Sequence, residues 1–131
     1  MANEISPFEV KLPQLRAEAF RHADLFLRNR QWKSEAGAVR AFARRHREYS
    51  PERCAAAFAD GVKLYHAAVE LVAEHEHTLR VRWDAIPNSN SKSTAMIDVG
   101  DLVQQLRGRT PGFPESIYAQ AIQGRMLWLV K

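Results

Sequence analysis

The sequence predicts a mainly α fold, a single-domain bundle of four to five helices around a long central helix at 51–77. Three observations carry this. After Ser50-Pro51-Glu52, the residues Cys54, Phe58, Val62, Tyr65, Val69 and Val72 return to one face at helical spacing. A second line, Ala57, Gly61, Leu64, Ala68 and Leu71, runs beside the first and widens the apolar surface beyond that of a surface helix. The 131 residues are 46% apolar and 26% charged, with three Trp, three Tyr and six Phe to anchor a core. That is the size and balance of one globular domain.

The elements follow in chain order. Residues 1–12 place Ile5, Phe8, Val10 and Leu12 among polar neighbours, with Pro7 and Pro13 as interruptions, and predict an extended arm lying on the core. From Pro13 to Asn29, Leu15, Ala19, Phe20, Ala23, Phe26 and Leu27 keep helical spacing, with Arg16, Arg21 and Arg28 elsewhere on the cylinder. Ser34 and Glu35 read as the start of a second helix through Val39, Phe42 and Ala43 that ends near Tyr49. Ser50 precedes a proline, which disfavours helical backbone, so it separates this helix from the central one. In the central helix Ser50 suits the N-cap, Pro51 the first helical position and Glu52 the positive end of the dipole. Its many alanines and Gly61 allow close helix packing.

Beyond His77 two patterns compete. Leu79, Val81 and Trp83 alternate with Arg80, Arg82 and Asp84 as in a half-buried strand, which together with Met96, Ile97 and Val99 would make a small β-hairpin at 79–84 and 94–99. The same stretch extends the helical seam through Val72, Glu76, Leu79, Trp83 and Ile86, up to Pro87. The β-prone Thr78, Val81 and Trp83 favour a break near His77. Residues 88–94 are small and polar and predict a flexible loop. A short helix through Leu102, Val103 and Leu106 should stop at Gly108, and a last one should start at Pro114-Glu115 and end at Gly124. The apolar Met126-Leu127-Trp128-Leu129-Val130 must then enter the core or meet another molecule.

The net charge of +4 is uneven. Residues 1–50 hold ten Lys/Arg against six Asp/Glu, 51–78 two against five, and 79–131 seven against four. No apolar run approaches the roughly twenty residues of a spanning helix. No secretory pattern opens the chain, and the lone Cys54 cannot form an internal disulfide, so a cytoplasmic location is expected.

Chemistry is sparsely written. Glu70, Glu74 and His77 share one helical face, and carboxylate with imidazole can hold a metal; Glu18 and His22 on the first helix could complete such a set. Glu74-x-x-His77 resembles half of the motif of carboxylate-bridged di-metal bundles over these four residues, but the chain has no second Glu-x-x-His. Arg40, Arg44 and Arg47 form a basic stripe able to face phosphates. Arg53 beside Cys54 could favour a thiolate, although Cys54 also lies on the apolar line. No nucleotide-binding, zinc-protease or cofactor motif is spelled. The expected function is a non-enzymatic helical protein-interaction or accessory module, able to self-associate through Met126, Leu127, Trp128 and Leu129. The alternatives are a nucleic-acid binder using the arginine stripe and a small metal-dependent enzyme using the Glu/His face. No cofactor and no membrane partner are implied.

Overall fold

The computed structural model describes residues 7–29, 31–87 and 92–129; side chains are described for all of these except 7–11, 95, 128 and 129. The described residues form six α-helices and one 3-10 turn, with no strand among them. The helices are α1 (Pro7–Asn29), α2 (Glu35–Arg45), α3 (Pro51–Glu74), α4 (Glu76–Asp84), α5 (Gly100–Arg109) and α6 (Glu115–Leu129), and the 3-10 turn spans Thr94–Met96.

The central helix is α3, which packs against each of the other five. Ser50 caps it as its spacing predicts: extended backbone puts the hydroxyl where it accepts from the Arg53 amide at 3.2 Å, with Pro51 in the first turn. Both apolar lines are used, since Cys54, Phe58 and Val72 from one and Ala57, Gly61, Leu64, Ala68 and Leu71 from the other are buried, while Val62, Tyr65 and Val69 are half-buried. Its tightest neighbour is α1. A Cβ placed on Gly61 would stand 3.0 Å from the Ala19 carbonyl oxygen and from Phe20 backbone atoms, so the two backbones meet there with no room for a side chain.

The core falls into three regions. Leu64 and Leu71 of α3 meet Leu102 and Leu106 of α5 and Ile117, Ile122 and Met126 of α6. Leu15, Phe42, Tyr49 and Cys54 fill the junction of α1, α2 and the start of α3. Ala23, Phe26, Ala38 and Phe58 close the other end of the α1–α2 contact. Full burial of each Leu, Ile, Phe or Met contributes roughly 1.5–3 kcal/mol.

Several boundaries depart from the sequence reading. Residues 7–12 are helical, not an extended arm, and 1–6 lie outside the described residues. Pro7 sits where its missing N–H has no helical partner to lose, and Pro13 removes one backbone bond from α1 without ending it. The second helix stops at Arg45, short of Tyr49, and residues 46–50 form a turn closed by the Tyr49 amide on the His46 carbonyl. The central helix breaks at His75, two residues before the expected point, and 79–84 continue as α4 in place of a strand. There the helical seam prevails: Leu79 is buried and Trp83 and Ile86 pack against the core, whereas Val81, which a strand would have buried with them, is 55% exposed. The partner strand is missing too, because Thr94–Met96 is a 3-10 turn after which Ile97 and Val99 enter the core. Of the predicted loop, residues 88–91 lie outside the described residues. The fifth helix ends at Arg109, one residue past the expected Gly108, whereas Gly124 lies inside α6 and does not stop it.

Candidate functional site

Three helices leave an unfilled groove between them. The α1 wall is Phe20, Arg21, Asp24, Leu25 and Arg28, the α3 wall is Tyr65, Ala68 and Val69, and the α6 wall is Gln120, Ala121, Gly124 and Arg125. Each set recurs at steps of three and four, so each is one stripe of one helix. The cavity measures ≈ 370 Å³, which is within the size range of small-molecule sites. Small residues make the space, since Ala68, Ala121 and Gly124 stand where larger side chains would have closed the three-helix junction. An added Cβ on Gly124 would meet nothing within 4 Å.

The groove has an apolar floor and a charged rim. Phe20, Ala68 and Ala121 are buried at its base, and Leu25 is 37% exposed at its edge. On the rim, Arg28 pairs with Asp24 one turn back on α1, and Arg21 bonds Glu18 at 2.7 Å. Arg125, half-buried on α6, has no ion-pair or hydrogen-bond partner among the described residues. The lining has no His, Cys, Ser or Thr, and its one carboxylate is held by Arg28. This arrangement suits binding an apolar body with a polar end.

A hollow of ≈ 500 Å³ on another side of α1 is lined by Leu15, Ala17, Glu18, His46, Glu48 and Tyr49 among others, but it is more open and half polar. His46 Nδ1 lies 3.8 Å from Glu48 there, with the ring 4.5 Å from Phe42.

The residues singled out from sequence fare differently. Arg40 and Arg44 are exposed on α2, and Arg44 Nε donates to the Arg40 carbonyl at 3.4 Å. Arg47 lies beyond the helix end, so the three do not continue as one stripe. Glu70 and His77 are exposed on either side of the His75 break, and Glu74 is bound by Arg109 of α5 at 2.7 Å. Glu18 faces solvent, whereas His22 is 4% exposed between α1 and α2. Among the described residues no group of three or more His, Cys, Asp or Glu side chains converges as metal ligands would. Met126 is part of the core, Leu127 is 41% exposed, and the side chains of Trp128 and Leu129 lie outside the described residues.

Two buried titratable groups have clear environments. His22 Nε2–H donates to the Ala38 carbonyl at 2.8 Å, with the Trp32, Phe42 and Phe58 rings 4.2, 5.3 and 5.9 Å away. Burial lowers its pKa below the ordinary 6.5, with help from Arg45 and His46 and against the backbone bond. Cys54 is buried with Sγ 3.7 Å from the His46 carbonyl, and burial, followed by Glu48, raises its pKa above 9.0. That is the reverse of the thiolate that Arg53 suggested, and it suits an inert core thiol.

Sequence reading missed the groove because its polar residues look like ordinary solvated arginines and its floor like ordinary core. The available signal was the juxtaposition of Leu25 with Arg21 and Arg28 on one stripe of α1. No protein-family model, no curated protein and no solved structure matches the chain.

Proposed function

We propose that the protein is a non-enzymatic binding module whose working surface is the α1/α3/α6 groove. The observation that carries this is an apolar-floored cavity of ≈ 370 Å³ between α1 and α6, each of which packs on α3. Its lining offers contact area and guanidinium groups in place of a nucleophile or an acid–base pair. The module works in a reducing, cytoplasmic setting, a reading supported by the single buried cysteine.

A neutral, environment-sensitive dye such as Nile red tests the groove without reference to charge. Wild-type protein should enhance its fluorescence saturably. Gly124→Leu, which projects a side chain into the open space, should remove the enhancement while circular dichroism and Tm hold. Equal enhancement in a folded Gly124→Leu protein would refute the groove as the binding surface.

A second reading, contact with a protein partner or another copy of the chain, is supported by Leu127, exposed on the last turn of α6 beyond the groove. Nucleic-acid binding now rests on Arg40 and Arg44 alone and has less support than the groove. The metal-enzyme reading has no converging ligand set among the described residues behind it.

A further inference from the structure

We propose that the α1/α3/α6 groove holds a small amphipathic anion, with the apolar chain on the Phe20–Ala68–Ala121 floor and the head group on Arg125. The inference rests on the groove being the working surface and adds the chemistry of its occupant.

Charge is the first argument. Three guanidinium groups and one carboxylate line the cavity, so its rim carries positive excess. The cations are not equivalent. Arg28 is neutralised by Asp24 and Arg21 by Glu18, each within α1, which leaves Arg125 as the lining cation without an ion pair among the described residues. Arg125 is partly buried as a residue, and its guanidinium has no ion-pair or hydrogen-bond partner among the described residues. A carboxylate, sulfonate or phosphate reaching it from the groove restores charge-assisted hydrogen bonds, two at once in the fork geometry of arginine.

Size is the second argument. A cavity of ≈ 370 Å³ lies near the lower end of the small-ligand range, enough for one short apolar chain and too small for a docked helix. The floor is aliphatic and aromatic, with Tyr65 and Val69 on one wall and Leu25 at the mouth, and it presents no ladder of backbone groups that would select a peptide strand. Apolar body and single cationic reader together define a chain with one anionic end.

Isothermal titration of the full chain at neutral pH with decanoate, decan-1-ol and decyltrimethylammonium, each below its micellar concentration, tests this. Decanoate should bind at least about tenfold more tightly than decanol, the difference expected for one charge-assisted contact, and the ammonium compound more weakly than either. Arg125→Gln should remove most of the decanoate preference and leave decanol binding unchanged, and Arg125→Lys should restore it in part. Adding decyl phosphate separates head groups: binding equal to or tighter than decanoate supports the same arginine contact. Gly124→Leu should abolish binding of all four probes, and Val69→Trp serves as a second blocking variant should the first not fold.

If decanol matches decanoate, or if Arg125→Gln leaves their ratio unchanged, the head-group assignment is overturned while the groove itself stands. If the folded wild-type chain binds none of the probes yet takes up Nile red, the groove admits apolar matter and the amphipathic anion is excluded. Neither Nile red nor any probe binding would remove both readings.

Discussion

Glycines 61 and 124 lie in two helices of the same bundle and should respond oppositely to one methyl group. Gly61 is pressed against the α1 backbone, which cannot yield as a flexible side chain would, so Gly61→Ala should force the helices apart. Overpacking of this kind costs about 1–3 kcal/mol and outweighs the roughly 1 kcal/mol gained in helix propensity. Gly124→Ala meets open space and should keep the propensity gain, raising stability by about 0.5–1 kcal/mol. Urea unfolding of the two variants gives the signs directly. His22 offers a second test at this scale. Because its pKa is lowered in the folded state, the unfolded chain takes up the proton first as pH falls. The stability that neutral His22 supports is therefore complete above the unfolded value of 6.5 and is lost as pH drops from there through the folded value. His22→Leu should flatten the stability profile in that window. A wild-type profile with no slope below 6.5, or one unchanged in the variant, would contradict the assignment.

Helix ends and junctions carry the next set of consequences. Tyr118 of α6 is fully buried, its hydroxyl donating to the Thr110 carbonyl at 2.6 Å and accepting from the Phe113 amide at 3.2 Å. It thereby fastens the 110–114 turn, where Gly112 adopts a φ of 102° and its carbonyl accepts from Arg16 Nη1 at 2.9 Å. Tyr118→Phe keeps the ring and strands two backbone groups, so it should cost about 1–3 kcal/mol by thermal or urea unfolding with no loss of helical circular dichroism. At this scale the sequence was informative about caps and about the interior of α3, because Ser34, Ser50 and Pro51 act locally and the apolar lines run for about four to five turns. It was less informative wherever a tertiary contact decides. The α4 segment has β-prone residues, but Leu79 and Trp83 find the core only at helical spacing, while Arg82 reaches Asp101 of α5 through paired bonds of 3.0 and 2.9 Å. The bend at His75 carries no cap or proline that could have announced it; the His75 amide is shared among the carbonyls of Leu71, Val72 and Ala73. The groove was legible only as three stripes on three helices, and nothing in one stripe says which others will face it.

At the scale of the molecule, the apolar end of α6 serves the core first. Met126 is buried with Ile117, Ile122 and Leu106, so removing residues 125–131 would excise core packing worth about 2–5 kcal/mol as well as any partner surface. Light scattering on such a truncation would confuse unfolding with a change of assembly. Leu127→Gln is the cleaner variant, since it alters an exposed side chain and leaves Met126 in place. If the chain self-associates through this turn, the substitution should lower the weight-average mass at unchanged Tm; a mass unaffected by the change would exclude Leu127 from the contact. The meeting of α1 and α3 at Gly61 has a last consequence. Phe20 belongs both to that junction and to the groove floor, so two of the three walls are welded backbone to backbone beside the cavity. Any guest too bulky for the resting space must be admitted by displacement of α6, and hydrogen exchange on loading should change along Gln120–Arg125 while the amides flanking Gly61 stay as slow as before.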